Sequence, residues 1–91
     1  MAQVVITLRI MPSSPDSNLK KIEDSTTLLI KEFGGEVGRV NVEPVAFGLN
    51  SISLMFVMDE SIGSTEELEN QVSEIKDVAS VEVTDVRRTI G

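Results

Sequence analysis

Cysteine, histidine, tryptophan and tyrosine are all absent from this chain of 91 residues, and its only aromatics are three phenylalanines. Without cysteine there are no disulfides, no thiolate metal sites and no cysteine nucleophile, and without histidine the commonest general base is gone. Most enzyme classes are thereby disfavoured. So few aromatics leave the core to Val, Ile, Leu and Met, which suits a sheet covered by helices on one face and implies no deep aromatic pocket. No apolar run approaches the ~18 residues of a membrane span, and no positively charged segment precedes the short apolar stretch near the N-terminus. The chain therefore reads as cytoplasmic, without a membrane partner. Basic residues are also scarce, eight against fifteen acids for a net charge of −7. Nonspecific nucleic-acid affinity rests on neutralising phosphates with Lys and Arg, so direct nucleic-acid binding is disfavoured and an electropositive protein partner is more natural.

A chain of this length buries only about 60 to 65% of its unfolded surface, which leaves room for one modest core and one domain, residues 1–91. From Gln3 to Met11 the sequence alternates, with Val4, Ile6, Leu8 and Ile10 on one face and Val5, Thr7, Arg9 and Met11 on the other, a first strand. Pro12-Ser13-Ser14-Pro15-Asp16 cannot extend a ladder, and Asp16 or Ser17 can cap a helix starting near Asn18. Leu19, Ile22, Leu29, Ile30 and Phe33 form a helical stripe, closed by Gly34-Gly35. Residues 36–43 predict a shorter edge strand loosened at Gly38. Leu49 to Met58 predicts a central strand whose core face is Ile52, Leu54, Phe56 and Met58. Ser64 and Glu67 have capping-box spacing, which predicts a second helix from about Thr65 to Lys76 with Leu68, Val72 and Ile75 inward. Ala79, Val81 and Val83 then mark the core face of a last strand reaching Val86, followed by a basic tail.

The order βαββαβ predicts an α+β, ferredoxin-like sandwich: a four-stranded antiparallel sheet in order 4-1-3-2 with two helices on one face. That topology puts Pro44-Val45-Ala46-Phe47-Gly48 at one end of the long axis and Arg87-Arg88 at the other. The open face of the sheet should show Thr7, Arg9, Arg39, Asn41, Ser51, Ser53, Glu82 and Thr84, which lack the stacked aromatics of sheet-type RNA readers. Two readings of the Pro44–Gly48 segment stand side by side: a turn whose Phe packs onto the sheet edge, or a rigid loop presenting Phe47 as an interface anchor. Arg87 and Arg88 are either a solubilising tail or a pair able to reach phosphates or carboxylates. The acids around the second helix have no calcium-loop spacing, so no metal site and no cofactor is expected.

Several stretches together resemble the elongation factor 1-beta family in its archaeal form. They are the first strand closed by Met11-Pro12 and then Ser14-Pro15-Asp16, the Pro44–Gly48 loop with the strand after it, and Thr84-Asp85-Val86 ahead of the arginines. The resemblance spans nearly the whole chain. It implies a monomeric ferredoxin-like guanine nucleotide exchange factor, not an enzyme with catalytic residues of its own, that binds elongation factor 1-alpha and exchanges its GDP for GTP so that aminoacyl-tRNA can bind again. Matched onto this sequence, it implies partner contacts at Pro44, Phe47 and Gly48 and at Asp85, Arg87 and Arg88. The eukaryotic relatives carry a lysine next to last where this chain has Ile90, so the basic role would pass to Arg87 or Arg88. They also carry an aromatic shortly before the proline where this chain has Val42. The competing expectation is a ligand-binding regulatory domain of the same fold. An acyl phosphate hydrolase would need an arginine in a phosphate-cradling loop after the first strand, where Pro12-Ser13-Ser14-Pro15 stands.

Overall fold

The first strand, β1 (Gln3–Pro12), lies at the middle of the sheet, and its alternation is the organising fact of the fold: Ile6, Leu8 and Ile10 are buried on one face. It pairs antiparallel with β3 (Asn50–Asp59) on one side and β4 (Val78–Thr89) on the other, while β2 (Glu36–Pro44) pairs with the outer side of β3. The order β2-β3-β1-β4 is the expected 4-1-3-2 read from the other edge. Helix α1 (Leu19–Phe33) and helix α2 (Glu66–Ser73) cover the face bearing Ile52, Leu54, Phe56 and Met58. These details come from a computed structural model, which describes residues 2–89. Met1, Ile90 and Gly91 fall outside the described residues, including the next-to-last position compared above.

Local chemistry explains each boundary and corrects several expectations. Helix α1 is capped by Asn18, whose Oδ1 accepts the Lys21 amide at 3.1 Å, and not by Asp16 or Ser17, which lie outside the first turn. Its stripe has a polar member that an apolar count passes over. Thr26 sits seven residues after Leu19 and is fully buried because its hydroxyl donates to the Ile22 carbonyl at 2.8 Å. At the other end the Gly34 amide donates back to the Ile30 and Lys31 carbonyls, the cap expected there. Helix α2 starts at Glu66, so Ser64 stands one place too early for a capping box with Glu67. Ser64 Oγ accepts the Glu66 amide instead, and the Thr65 hydroxyl donates to the Glu69 carboxylate. The helix also ends at Ser73, short of Lys76, and the chain turns through Asp77 in a left-handed conformation before β4.

Bulges shift the register on both edge strands. Gly38 is the extra residue where β2 passes from Val37↔Phe56 to Arg39↔Met55. On β4, Ala79 and Thr84 stand unopposed between paired neighbours. Ala79 is therefore exposed, not on the core face, and Val78 packs against the core with Val81 and Val83. The Thr84 bulge has a larger effect, because it reverses the alternation of everything after it. Asp85 and Arg87 pair with Thr7 and Val5 on the open face, whereas Val86 and Arg88 pair with Ile6 and Val4 on the helix side. Helix α2 has only 8 residues and β4 has 12, so this last part of the strand outruns its helical cover and Val86 is 58% exposed.

Candidate functional site

The Pro44–Gly48 segment closes the β2–β3 hairpin. Pro44 is the last residue of β2, opposite Asn50, and the Val45 amide donates to the Leu49 carbonyl at 2.8 Å. Between them the Leu49 amide returns to Ala46, making one tight turn. Two consecutive residues of that turn have positive φ: Phe47 at 61° and Gly48 at 75°. A Cβ at Gly48 would meet nothing within 4 Å, so glycine is needed there for its backbone angle alone. Phe47 has no such excuse. A left-handed backbone costs a non-glycine residue roughly 1–2 kcal/mol, and this one leaves its side chain 94% exposed. The reading in which the ring packs onto the sheet edge is thus overturned. A strained, hydrogen-bonded turn holds an aromatic ring in water.

At the other end, Arg87 and Arg88 do not form a tail. They are β4 residues, held by pairing with β1, and being neighbours in a strand they point to opposite faces. Arg87 Nε donates to Asp85 Oδ2 at 2.9 Å on the open face, and Arg88 meets Glu60 Oε2 at 2.9 Å on the helix side. Glu60 is one of the acids around the second helix, and its pairing with Arg88 is not legible in sequence, since only the folded chain brings it beside a residue 28 positions away. The adjoining Asp59 carboxylate accepts the Ser61 amide at 2.8 Å, and this hydrogen bond holds its pKa below the ordinary value of 3.8. The six sequence-derived residues therefore make two groups, Pro44, Phe47 and Gly48 on one end and Asp85, Arg87 and Arg88 on the other, with the sheet between them. Among the described residues no cluster of acids could hold a metal ion.

Residues 5–89 match the family model described as the EF-1 guanine nucleotide exchange domain. The chain belongs to this exchange-domain family. Proteins named elongation factor 1-beta are similar along essentially their whole length. Those of Methanobrevibacter smithii and Methanothermobacter thermautotrophicus are 40% and 41% identical over 88 residues, spanning 97% of this chain and 98% of each relative. The Halobacterium salinarum protein of the same name is 33% identical over 88 residues, 97% of this chain and 99% of its own. Among solved structures, the ACT domain from GTP pyrophosphokinase of Chlorobium tepidum has a TM-score of 0.61 at 17% identity, covering 89% of this chain and 97% of that one. That likeness concerns the fold alone.

Proposed function

We propose that the whole 91-residue chain acts as one exchange domain that binds elongation factor 1-alpha in the cytoplasm, as a monomer when free, and promotes replacement of GDP by GTP on it. The GTP form so regenerated would bind aminoacyl-tRNA. Membership of the exchange-domain family supports this reading, and the observation that carries it to particular residues is Phe47, exposed on a strained turn that closes the hairpin. The mechanism is thermodynamic linkage. A factor that binds the nucleotide-free GTPase more tightly than the GDP form must weaken GDP by the same ratio, tenfold for each ~1.4 kcal/mol of coupling. No acid, base or nucleophile is required of the factor, in keeping with a chain that has neither histidine nor cysteine. Pro44, Phe47 and Gly48 would grip one part of the GTPase while Asp85, Arg87 and Arg88 work at its nucleotide end.

Release of fluorescent GDP from elongation factor 1-alpha, chased with excess unlabelled nucleotide, tests the proposal. The dissociation rate should rise with the concentration of this chain and saturate, and the chain by itself should hydrolyse no nucleotide. Equal release rates with and without a large excess of the chain would remove the assignment.

A further inference from the structure

The two ends are joined by a surface whose composition differs from the rest of the molecule. All four lysines, Lys20, Lys21, Lys31 and Lys76, lie in the helices and the loops beside them, together with most of the acids. The open sheet face carries no lysine. Three of the four arginines are there, Arg9, Arg39 and Arg87, placed by their pairing with Ser53, Met55 and Val5. At the centre Met55 is 37% exposed, between Thr7 of β1 and Arg39 of β2 and flanked along β3 by half-buried Val57. Protein interfaces are enriched in Arg, Met and aromatics and depleted in Lys. This face combines its arginines and Met55 with an absence of lysine, and its acids, Glu36, Glu43, Glu82 and Asp85, include the partners of Arg9 and Arg87, which are Glu82 and Asp85.

Continuity and area both tie the face to the Phe47 turn. Glu43, Pro44 and Val45 line a shallow hollow of about 270 Å³ whose other walls are Arg9, Ser51, Ser53 and Thr84, so turn and sheet form one surface. Ser51, expected to show on this face, is instead buried with its hydroxyl donating to the Glu43 carbonyl at 3.4 Å, which keeps the floor shallow. A stable interface takes ~800 Å² from each partner. One aromatic side chain supplies ~200 Å². Four strands at ~4.8 Å spacing and some eight residues long add a face of ~500 Å², bringing the total close to what is needed.

We infer that the open sheet face, centred on Met55, is laid flat against the GTPase that receives Phe47, so that docking runs along the sheet and the helices stay in solvent. The inference rests on the exchange reading above. It calls for a partner surface with an apolar centre opposite Met55 and carboxylates within reach of Arg39, and it narrows the role proposed above for both arginines, putting Arg87 in the contact and Arg88 at its margin. The test is affinity for nucleotide-free elongation factor 1-alpha, measured by calorimetry for the full chain, for Met55→Lys on this face and for Leu28→Lys on the helix side, where Leu28 is 60% exposed. Met55→Lys should weaken binding at least tenfold with an unchanged melting temperature, and Leu28→Lys should bind as the parent does. Arg39→Glu, on an exposed edge-strand position, carries the same test and the same expectation should the lysine at 55 disturb the fold. Parent-like affinity in the folded sheet-face variants, with Phe47→Ala still impaired, would overturn the inference and leave the exchange reading standing. A loss caused by Leu28→Lys alone would put the helices in the interface and overturn it as well. If the unsubstituted chain fails to bind at all, the exchange reading fails and the inference with it.

Discussion

Replacing Phe47 by alanine and by glycine separates what its ring does from what its backbone costs. Both substitutions remove an aromatic that touches almost nothing in the chain itself, and both should weaken the GTPase complex by ~2 kcal/mol or more, the loss common for an interface anchor. Their stabilities should differ. Alanine keeps the left-handed strain at φ 61°, whereas glycine relieves it, so Phe47→Gly should melt at least as high as Phe47→Ala despite glycine's greater flexibility. A marked fall in melting temperature with unchanged partner affinity in either variant would return Phe47 to a packing role. Asp59 makes a second prediction at this scale. Because the Ser61 amide lowers its folded pKa, its contribution is present above the unfolded value of about 3.8 and is lost as pH falls through the lower folded value. Asp59→Asn should therefore be slightly less stable than the parent near pH 7, with the difference vanishing and the acid transition becoming less steep as pH falls below about 4, as followed by circular dichroism during acid titration. An unaltered acid transition would show that this carboxylate is not coupled to folding.

Strand β4 shows what an element adds to its residues. Two adjacent arginines look interchangeable in sequence, yet the strand turns Arg87 to the open face and Arg88 to the helix side. Exposed ion pairs such as Arg87–Asp85 and Arg88–Glu60 contribute only ~0–1 kcal/mol, so either guanidinium can change partners at little cost. Arg87→Ala should slow stimulated GDP release severalfold while Arg88→Ala costs much less, and the reverse order would place the nucleotide end on the helix side. The same strand marks how far the sequence could be read. Strand faces were legible wherever branched aliphatics alternate with polar residues, as in β1 and β3, because one face of each is buried and the other is not. The bulges were not, since a bulge is a relation between two strands and only Gly38 announced one by its residue type. The end of β4 reads as a tail because neither helix covers it, so hydrophobic patterning lapses although backbone pairing continues. At the candidate site, Gly48 signalled an unusual backbone angle, but nothing in the sequence showed that Phe47 would share it.

For the molecule as a whole, charge and shape set the response to salt. The Debye length falls from ~30 Å at 0.01 M salt to ~8 Å at 0.15 M. The chain measures 42 × 20 × 18 Å, so at the lower concentration most of its fifteen acids act on one another across the whole body. Salt should relieve more repulsion than the few exposed ion pairs lose, and the melting temperature should rise between these concentrations. A falling melting temperature would mean that pairs such as Arg88–Glu60 matter more to the fold than the net charge.

An open four-stranded sheet also has two free edges, β2 and β4, and β4 is the longest strand of the four. Each free edge is a template on which another chain could add a strand and begin a polymer. The three bulged residues, Gly38, Ala79 and Thr84, all lie on these two edges, and β2 also finishes in a proline that offers no amide. The interruptions leave no long flat ladder on which a second chain could pair. Deleting Thr84 would make β4 regular from Val81 to Thr89 without turning any later side chain over, because Asp85, Arg87 and Arg88 would keep their present partners. Sedimentation at increasing concentration should then show more self-association than the unaltered chain does, the outward sign that irregularity in an edge strand guards solubility.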